Sequence, residues 1–85
     1  MRVNRTRNFV KQYKKLPEKV RQQFRDRLAL WLENSEHPVL RVHALKGELR
    51  GYWSMNISGD YRVVYYFASA EEVVLALIGT HSQLY

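Results

Sequence analysis

The stretch Gly51–Phe67, GYWSMNISGDYRVVYYF, decides the fold because it predicts two β-strands joined by a tight turn. Side chains from position 52 to position 57 alternate with the period of a half-buried strand. One set is expected to face the core: Trp53, Met55 and Ile57. The other set leaves a face free for chemistry: Tyr52, Ser54 and Asn56.

The return strand, Tyr61–Phe67, is aromatic and β-branched apart from Arg62. This composition is typical of a central strand that is covered on both faces. We expect a three-residue turn, Ser58–Asp60, which pairs Ile57 with Tyr61. The same register pairs Asn56 with Arg62.

The two polar residues of this hairpin have ordinary alternatives. Asn56, Arg62 and the carboxylate of Asp60 are expected to converge on one face. An internal ion pair with Glu72 or Glu48 would also explain the arginine. Asp beside Gly is common hairpin-turn chemistry in any case.

Two amphipathic helices precede the hairpin. The first helix covers residues 7–15, a basic sequence, and Asn4 or Thr6 is expected to cap it. Its apolar stripe is Phe9, Val10 and Tyr13. The second starts with Pro17 at its first helical position and ends near Asn34. Its apolar stripe is Val20, Phe24, Leu28 and Trp31. Such an αα-hairpin needs a sheet to cover its apolar side.

The remaining segments complete an α+β domain. Arg2–Asn4 is a possible edge strand, and Glu72–Ile78 is a third apolar strand followed by a short tail. Ser35–Arg50 is interpreted as a loop, with Val39, Leu40, Val42 and Leu45 as its anchors. We therefore expect a small antiparallel-rich sheet of three to four strands with the αα-hairpin on one face.

Length and composition restrict the class of protein. The 85 residues, 1–85, make one domain, and the absence of cysteine excludes disulfides and thiolate metal sites. No apolar run approaches the roughly 18 residues of a membrane span, and the N-terminus lacks the apolar region of a signal peptide. A cytoplasmic protein without a membrane partner is expected.

The net charge of +6 is unevenly distributed. Met1–Trp31 carries ten Lys or Arg against Glu18 and Asp26, a balance of +8, whereas the remaining 54 residues have a balance of −2. This density favours a polyanion or an acidic protein partner. A solvated helix surface is the alternative.

Three histidines are present, and none pairs with another at metal-ligand spacing. No metal site and no cofactor are expected. His37 lies on a polar loop and is interpreted as a surface residue. His43 and His81 each lie beside a strand end, although each alone is more often structural than catalytic.

Imidazoles, a carboxylate and a guanidinium together suit cleavage of RNA through its own 2′-hydroxyl. A base takes the 2′-proton, an acid protonates the leaving 5′-oxygen, and a cation stabilises the charged phosphorane. Histidine can fill either proton-transfer role near neutral pH. Tyr52, Tyr66 and Tyr85 could stack on unpaired bases.

Several motifs resemble one known family. The segments HALKGELRGYWSMNISGDYRVVYYF, IGTHSQLY and KKLPEKV resemble the RelE/ParE toxin superfamily, and most closely its YafQ-type branch of bacterial type II toxin–antitoxin systems. This resemblance implies a metal-independent endoribonuclease that cuts mRNA, typically on the ribosome. It also implies a cognate antitoxin that wraps the toxin in a hetero-oligomer.

The resemblance further implies roles for individual residues. His81 matches the proposed general acid, His43 or Asp60 the base, and Arg62 the cation that stabilises the transition state. The residues expected to bind RNA are Tyr85, Asn56, Tyr52, Lys46 and Arg50. The YafQ branch has a histidine where this chain has Asn56, which cannot exchange a proton at neutral pH.

Two other functions fit the same fold. A ParE-like protein would inhibit a target such as DNA gyrase by contact alone and would need no proton-transfer groups. A decayed toxin would keep the fold only to bind its antitoxin. His81, together with His43 and Asp60, favours the nuclease over both.

Overall fold

A five-stranded mixed sheet with helices on both faces forms the molecule, as seen in a computed structural model that describes residues 1–85. The strands are β1 (Arg2–Arg5), β2 (His43–Ala44), β3 (Trp53–Ser58), β4 (Tyr61–Ser69) and β5 (Glu72–Thr80). The helices are α1 (Arg7–Lys14), α2 (Glu18–Glu33) and α3 (His81–Leu84). Short 3₁₀ turns occupy Pro38–Leu40 and Gly47–Leu49.

The strand order is β1-β5-β4-β3-β2, and every neighbouring pair is antiparallel except β1 and β5, which are parallel. The α+β class and the antiparallel-rich sheet are therefore confirmed, but the expected three to four strands are five. The additional strand, β2, lies inside the segment interpreted as a loop. It pairs His43 with Ser54 and Ala44 with Trp53, and two residues are too few to show a strand period.

The helices α1 and α2 pack on one face of the sheet. The hydroxyl of Thr6 caps α1 by accepting from the amide of Phe9 at 3.1 Å. Pro17 precedes α2 as its N-cap instead of occupying the first helical position, because its extended ψ of 148° keeps it outside the helix. No helix is long and apolar enough to cross a membrane.

Between these helices and the sheet lies the hydrophobic core. It contains Phe9, Phe24, Trp31, Leu40, Met55, Ile57, Val63, Tyr65, Val73, Leu75 and Ile78. Phe24 and Trp31 are buried on α2 as its stripe predicts. Trp53 and Val39, expected to be buried, are 37% and 39% exposed. Trp53 pairs with Ala44 of the two-residue edge strand β2, so little of the sheet extends beyond it.

The β3–β4 turn differs from the prediction. Asn56 pairs with Arg62 as expected, but Ser58 takes the place of Ile57 opposite Tyr61. The ladder shifts register between Asn56 and Ser58, so Ile57 is the extra residue of a β-bulge. The turn itself is therefore only two residues long.

The opposite face of the sheet carries α3. Ser54 and Val64, which are cross-strand partners, are fully buried although neither belongs to the main core. Gly79 lies opposite Arg62 on this face, and α3 passes over the glycine. The second face thus has a small buried patch of its own beside α3.

Candidate active site

A cavity of about 460 Å³ opens on the face that carries α3. Its lining comes from β2, the segment after β2, β4 and α3. The lining residues are His43, Leu45, Lys46, Leu49, Arg62, His81 and Tyr85. Two imidazoles and two cations therefore share one pocket, against an apolar wall made by the two leucines.

His43 begins β2, and its ring has a defined hydrogen bond. Nδ1 lies 3.0 Å from the carbonyl oxygen of Arg41. Because a carbonyl only accepts, Nδ1 must carry the proton, which leaves the lone pair of the neutral ring on Nε2. His43 is exposed and lines the cavity, and its Nε2 has no protein partner.

His81 is held by the start of α3. Thr80 caps the helix through a capping box with Gln83. The amide of His81 donates to the carbonyl oxygen of Asp60 at 3.0 Å, which ties the helix to the β3–β4 turn. The imidazole packs edge-on against Tyr85, with 4.8 Å between ring centroids.

Tyr85 covers the buried patch under α3. Its hydroxyl donates to Oγ of Ser54 at 2.9 Å, and Ser54 is fully buried. The phenol tip is therefore anchored while 46% of the residue stays exposed. An anchored, half-exposed ring of this kind can offer a stacking surface.

Arg62 projects from the central strand β4 as an unpaired cation. Its one side-chain contact is a long 3.5 Å approach to the carbonyl oxygen of Gly59, and it forms no salt bridge. The alternative ion pair with Glu72 or Glu48 is wrong, since Glu72 instead contacts Arg2 and Asn4. The charge of Arg62 is therefore available to an anion in the cavity.

Five of the residues selected from the sequence do not line this cavity: Asp60, Asn56, Tyr52, Tyr66 and Arg50. Asp60 lies in the turn and reaches His81 only through its backbone. Asn56 lines a separate groove. Tyr52 is half-buried against Tyr66, with the ring centroids 5.3 Å apart, and Arg50 follows the 3₁₀ turn outside the pocket.

The structure also adds residues that sequence reasoning missed. Leu49 contributes to the apolar wall, and Ser54 anchors Tyr85. Arg41 positions His43 through a carbonyl group. Only Ser54 had a sequence signal, as a small polar residue in a strand whose neighbours are large. No group of three or more His, Cys, Asp or Glu residues is placed to hold a metal ion.

Solved structures of bacterial toxins share this fold. YafQ from E. coli matches with a TM-score of 0.84 at 18% identity, covering 100% of this chain and 99% of that one. A YoeB/ParE toxin from Agrobacterium tumefaciens matches with a TM-score of 0.79 at 19% identity, covering 95% and 99%. A chain of the E. coli DinJ-YafQ toxin-antitoxin complex gives 0.79 at 18% identity, covering 98% and 94%. The fold of this chain is therefore the one that these small bacterial toxins share.

A family model described as the bacterial toxin of type II toxin-antitoxin system, YafQ, matches residues 1–85. The chain belongs to this YafQ toxin family, which confirms the resemblance inferred from its motifs. No curated protein matches it in sequence.

Proposed function

We propose that this chain is an endoribonuclease that cuts mRNA at the cavity through the 2′-hydroxyl of the substrate. The observation that carries the proposal is the common cavity of His43, Arg62 and His81. These groups are a candidate base, cation and acid, the set that this reaction needs. Membership of a toxin family supports the proposal at the level of class.

His43 is the better candidate for the base. His43 lines the cavity and its Nε2 has no protein partner, whereas Asp60 does not line the cavity. Nε2 takes the proton of the 2′-hydroxyl, and the resulting oxygen attacks the adjacent phosphorus. A 2′,3′-cyclic phosphate forms as the bond to the 5′-oxygen breaks.

His81 supplies the proton to the leaving oxygen. The 5′-oxygen then departs as a free hydroxyl, which balances the proton removed by the base. Arg62 and Lys46 offset the charge that builds on the phosphorane oxygens. Tyr85 provides a surface on which an unpaired base can stack.

Replacing the proposed acid tests the mechanism. We expect His81→Ala to lower RNA cleavage by about 10²- to 10⁴-fold, the usual contribution of general acid catalysis, with the fold retained. His37→Ala is the matched control, because His37 caps a 3₁₀ turn away from the cavity. Cleavage is measured by mapping 5′-hydroxyl ends on transcripts after induction.

Two outcomes would contradict the proposal. Parental cleavage by His81→Ala would remove His81 from the mechanism. Growth arrest by the parent chain without new 5′-hydroxyl ends would favour the alternative, a ParE-like toxin that acts on a target such as gyrase by contact.

Arg62→Ala separates a catalytic cation from a structural one. Because Arg62 forms no salt bridge, its loss is expected to lower cleavage by about 10²-fold or more while changing the free energy of unfolding by less than about 0.5 kcal/mol. Urea unfolding beside the cleavage assay distinguishes the two effects. A large loss of stability would indicate a structural role.

The partners of the chain are also part of the proposal. The DinJ-YafQ complex shows an antitoxin bound to a related toxin, so we infer a cognate antitoxin and a hetero-oligomer for this chain in the cytoplasm. Co-purification with the product of the adjacent reading frame tests the first point. Cleavage of purified mRNA with and without ribosomes tests dependence on the ribosome.

A further inference from the structure

A second groove lies beside the active-site cavity, at the outer edge of β3. Its volume is about 240 Å³. It is lined by Arg27, Val39, Arg41, Asn56, Ile57, Ser58 and Gly59. Two arginines, an asparagine and a serine are among these residues, and no carboxylate-bearing residue lines the groove.

Arg27 has no carboxylate partner, unlike the neighbouring arginines of α2. Arg21 and Arg25 contact Glu18 at 2.7 Å and 2.8 Å, and Arg25 holds the pKa of Glu18 below its ordinary value, with Arg21 contributing less. Arg27 instead donates only Nε–H, to the carbonyl oxygen of Ile57 at 3.2 Å. Its two terminal amino groups have no protein partner.

Arg41 joins the groove to the catalytic cavity. Its backbone is left-handed, with φ 46° and ψ 45°, and its carbonyl oxygen accepts from Nδ1 of His43. Its exposed side chain forms no hydrogen bond and no salt bridge, and it lines the groove. Arg41 thus positions His43 in the cavity through its carbonyl group and contributes a positive charge to the groove.

Strand register places the two sites side by side. His43 pairs with Ser54, and Arg41 and Asn56, each two residues beyond that pair, line the same groove. Asn56 in turn pairs with Arg62 on the central strand β4. Two strand spacings, roughly 10 Å, separate β4, which carries Arg62, from β2, which Arg41 precedes.

We propose that this groove binds the RNA phosphate next to the scissile one, with Arg27 and Arg41 as its cationic ligands. Guanidinium groups bind phosphate through paired N–H donors, and two unpaired ones in a groove without carboxylates make an anion site. Asn56 supplies a further donor between the groove and Arg62. The inference rests on the proposed ribonuclease function and adds the site that fixes the direction of the strand.

The test measures how a short single-stranded 2′-O-methyl RNA binds at several salt concentrations, since this RNA lacks the attacking hydroxyl. Arg41→Asn removes the charge and keeps a residue that tolerates the left-handed backbone. We expect affinity to fall roughly three- to tenfold. The slope of log affinity against log salt should become shallower by about 0.7, the value for one lost phosphate contact on a single strand.

Lys11→Gln is the matched control. Lys11 is exposed on α1, which packs against β5, two strands away from β3 in the sheet, and its substitution should leave both affinity and slope unchanged. Arg27→Gln is the second variant, with a melting temperature to confirm its fold. It should reproduce the shallower slope.

The outcomes separate this inference from the function on which it rests. Parental affinity and slope for Arg41→Asn and Arg27→Gln, with weaker binding by Arg62→Ala, would overturn the second phosphate site and leave the ribonuclease intact. Absence of RNA binding by the parent chain would overturn both. Weaker binding of a polyglutamate peptide by Arg41→Asn, with an unchanged RNA slope, would assign the groove to an acidic protein partner instead.

Discussion

Gly79→Ala is expected to detach α3 from the sheet and so disable the active site. A Cβ at position 79 would lie 2.8 Å from Oε1 of Gln83 and 3.3 Å from Cδ2 of Leu84. The same Oε1 accepts from the amide of Thr80 at 2.8 Å, as half of the capping box. The glutamine can move away, but only by giving up this bond.

The magnitude follows from the cap. Losing a helix cap costs about 0.5 to 2 kcal/mol, and α3 has only four residues, so it cannot persist without its contacts. Because α3 carries His81 and Tyr85, a loss of about 1.4 kcal/mol would lower the equilibrium constant for its docking about tenfold, and cleavage by up to the same factor. The rest of the fold should remain, since the core lies on the other face.

Three measurements check this reasoning. Cleavage rate reports the active site, urea unfolding reports the fold, and the NMR contact between the rings of His81 and Tyr85 reports the docking of α3. Gly59→Ala is the control for unfolding and for the ring contact, because nothing lies within 4 Å of a Cβ at that position. Gln83→Ala removes the same cap bond, so its effect should not add to that of Gly79→Ala. Parental cleavage and an intact ring contact in Gly79→Ala would refute the argument.

Two further predictions concern the core. Phe24→Ala should lower the free energy of unfolding by about 3 to 5 kcal/mol, because Phe24 is buried. Leu32→Ala, on the exposed side of α2, should change it by less than about 0.5 kcal/mol. Urea denaturation measures both, and equal effects would contradict the helix register. Burial raises the pKa of Tyr65, and the hydrogen bond from the indole N–H of Trp31 opposes this shift. The stabilisation that follows from the raised pKa should be complete below the pKa of the unfolded chain, about 10, and should be lost as pH rises above it. Tyr65→Phe should reduce that loss in unfolding measured across this pH range, and an identical alkaline profile would contradict it.

Regular elements with a clear period could be predicted from the sequence. The alternation around Met55 and the stripe through Phe24 located β3 and α2, because in each element one face meets the core. The strand β2 could not be predicted, since His43 and Ala44 pair with β3 only through tertiary contacts. The bulge at Ile57 depends on hydrogen bonds that composition does not specify.

The chemistry of the site could be predicted from the sequence, but the set of residues that line the cavity could not. His43 and His81 lie 38 positions apart in the chain and meet because β2 and the end of β5 flank the same strand pair. The register that brings them together is set by the core and not by the histidines themselves. Asp60 bonds to His81 through its backbone, and Asn56 pairs with Arg62. Their positions in the turn and at the edge of β3 nevertheless leave both residues outside the cavity.

The parallel pairing of β1 with β5 has a consequence for how the chain folds. It joins Arg2–Arg5 to residues 72–75, so the sheet closes a loop of nearly the whole chain, at an entropic cost of roughly 4 kcal/mol. Contacts this distant in sequence slow the folding of small domains. Because β5 leads directly into α3, the strand that completes the sheet also positions His81. A nascent chain would therefore hold no assembled cavity until residues 72–85 had emerged.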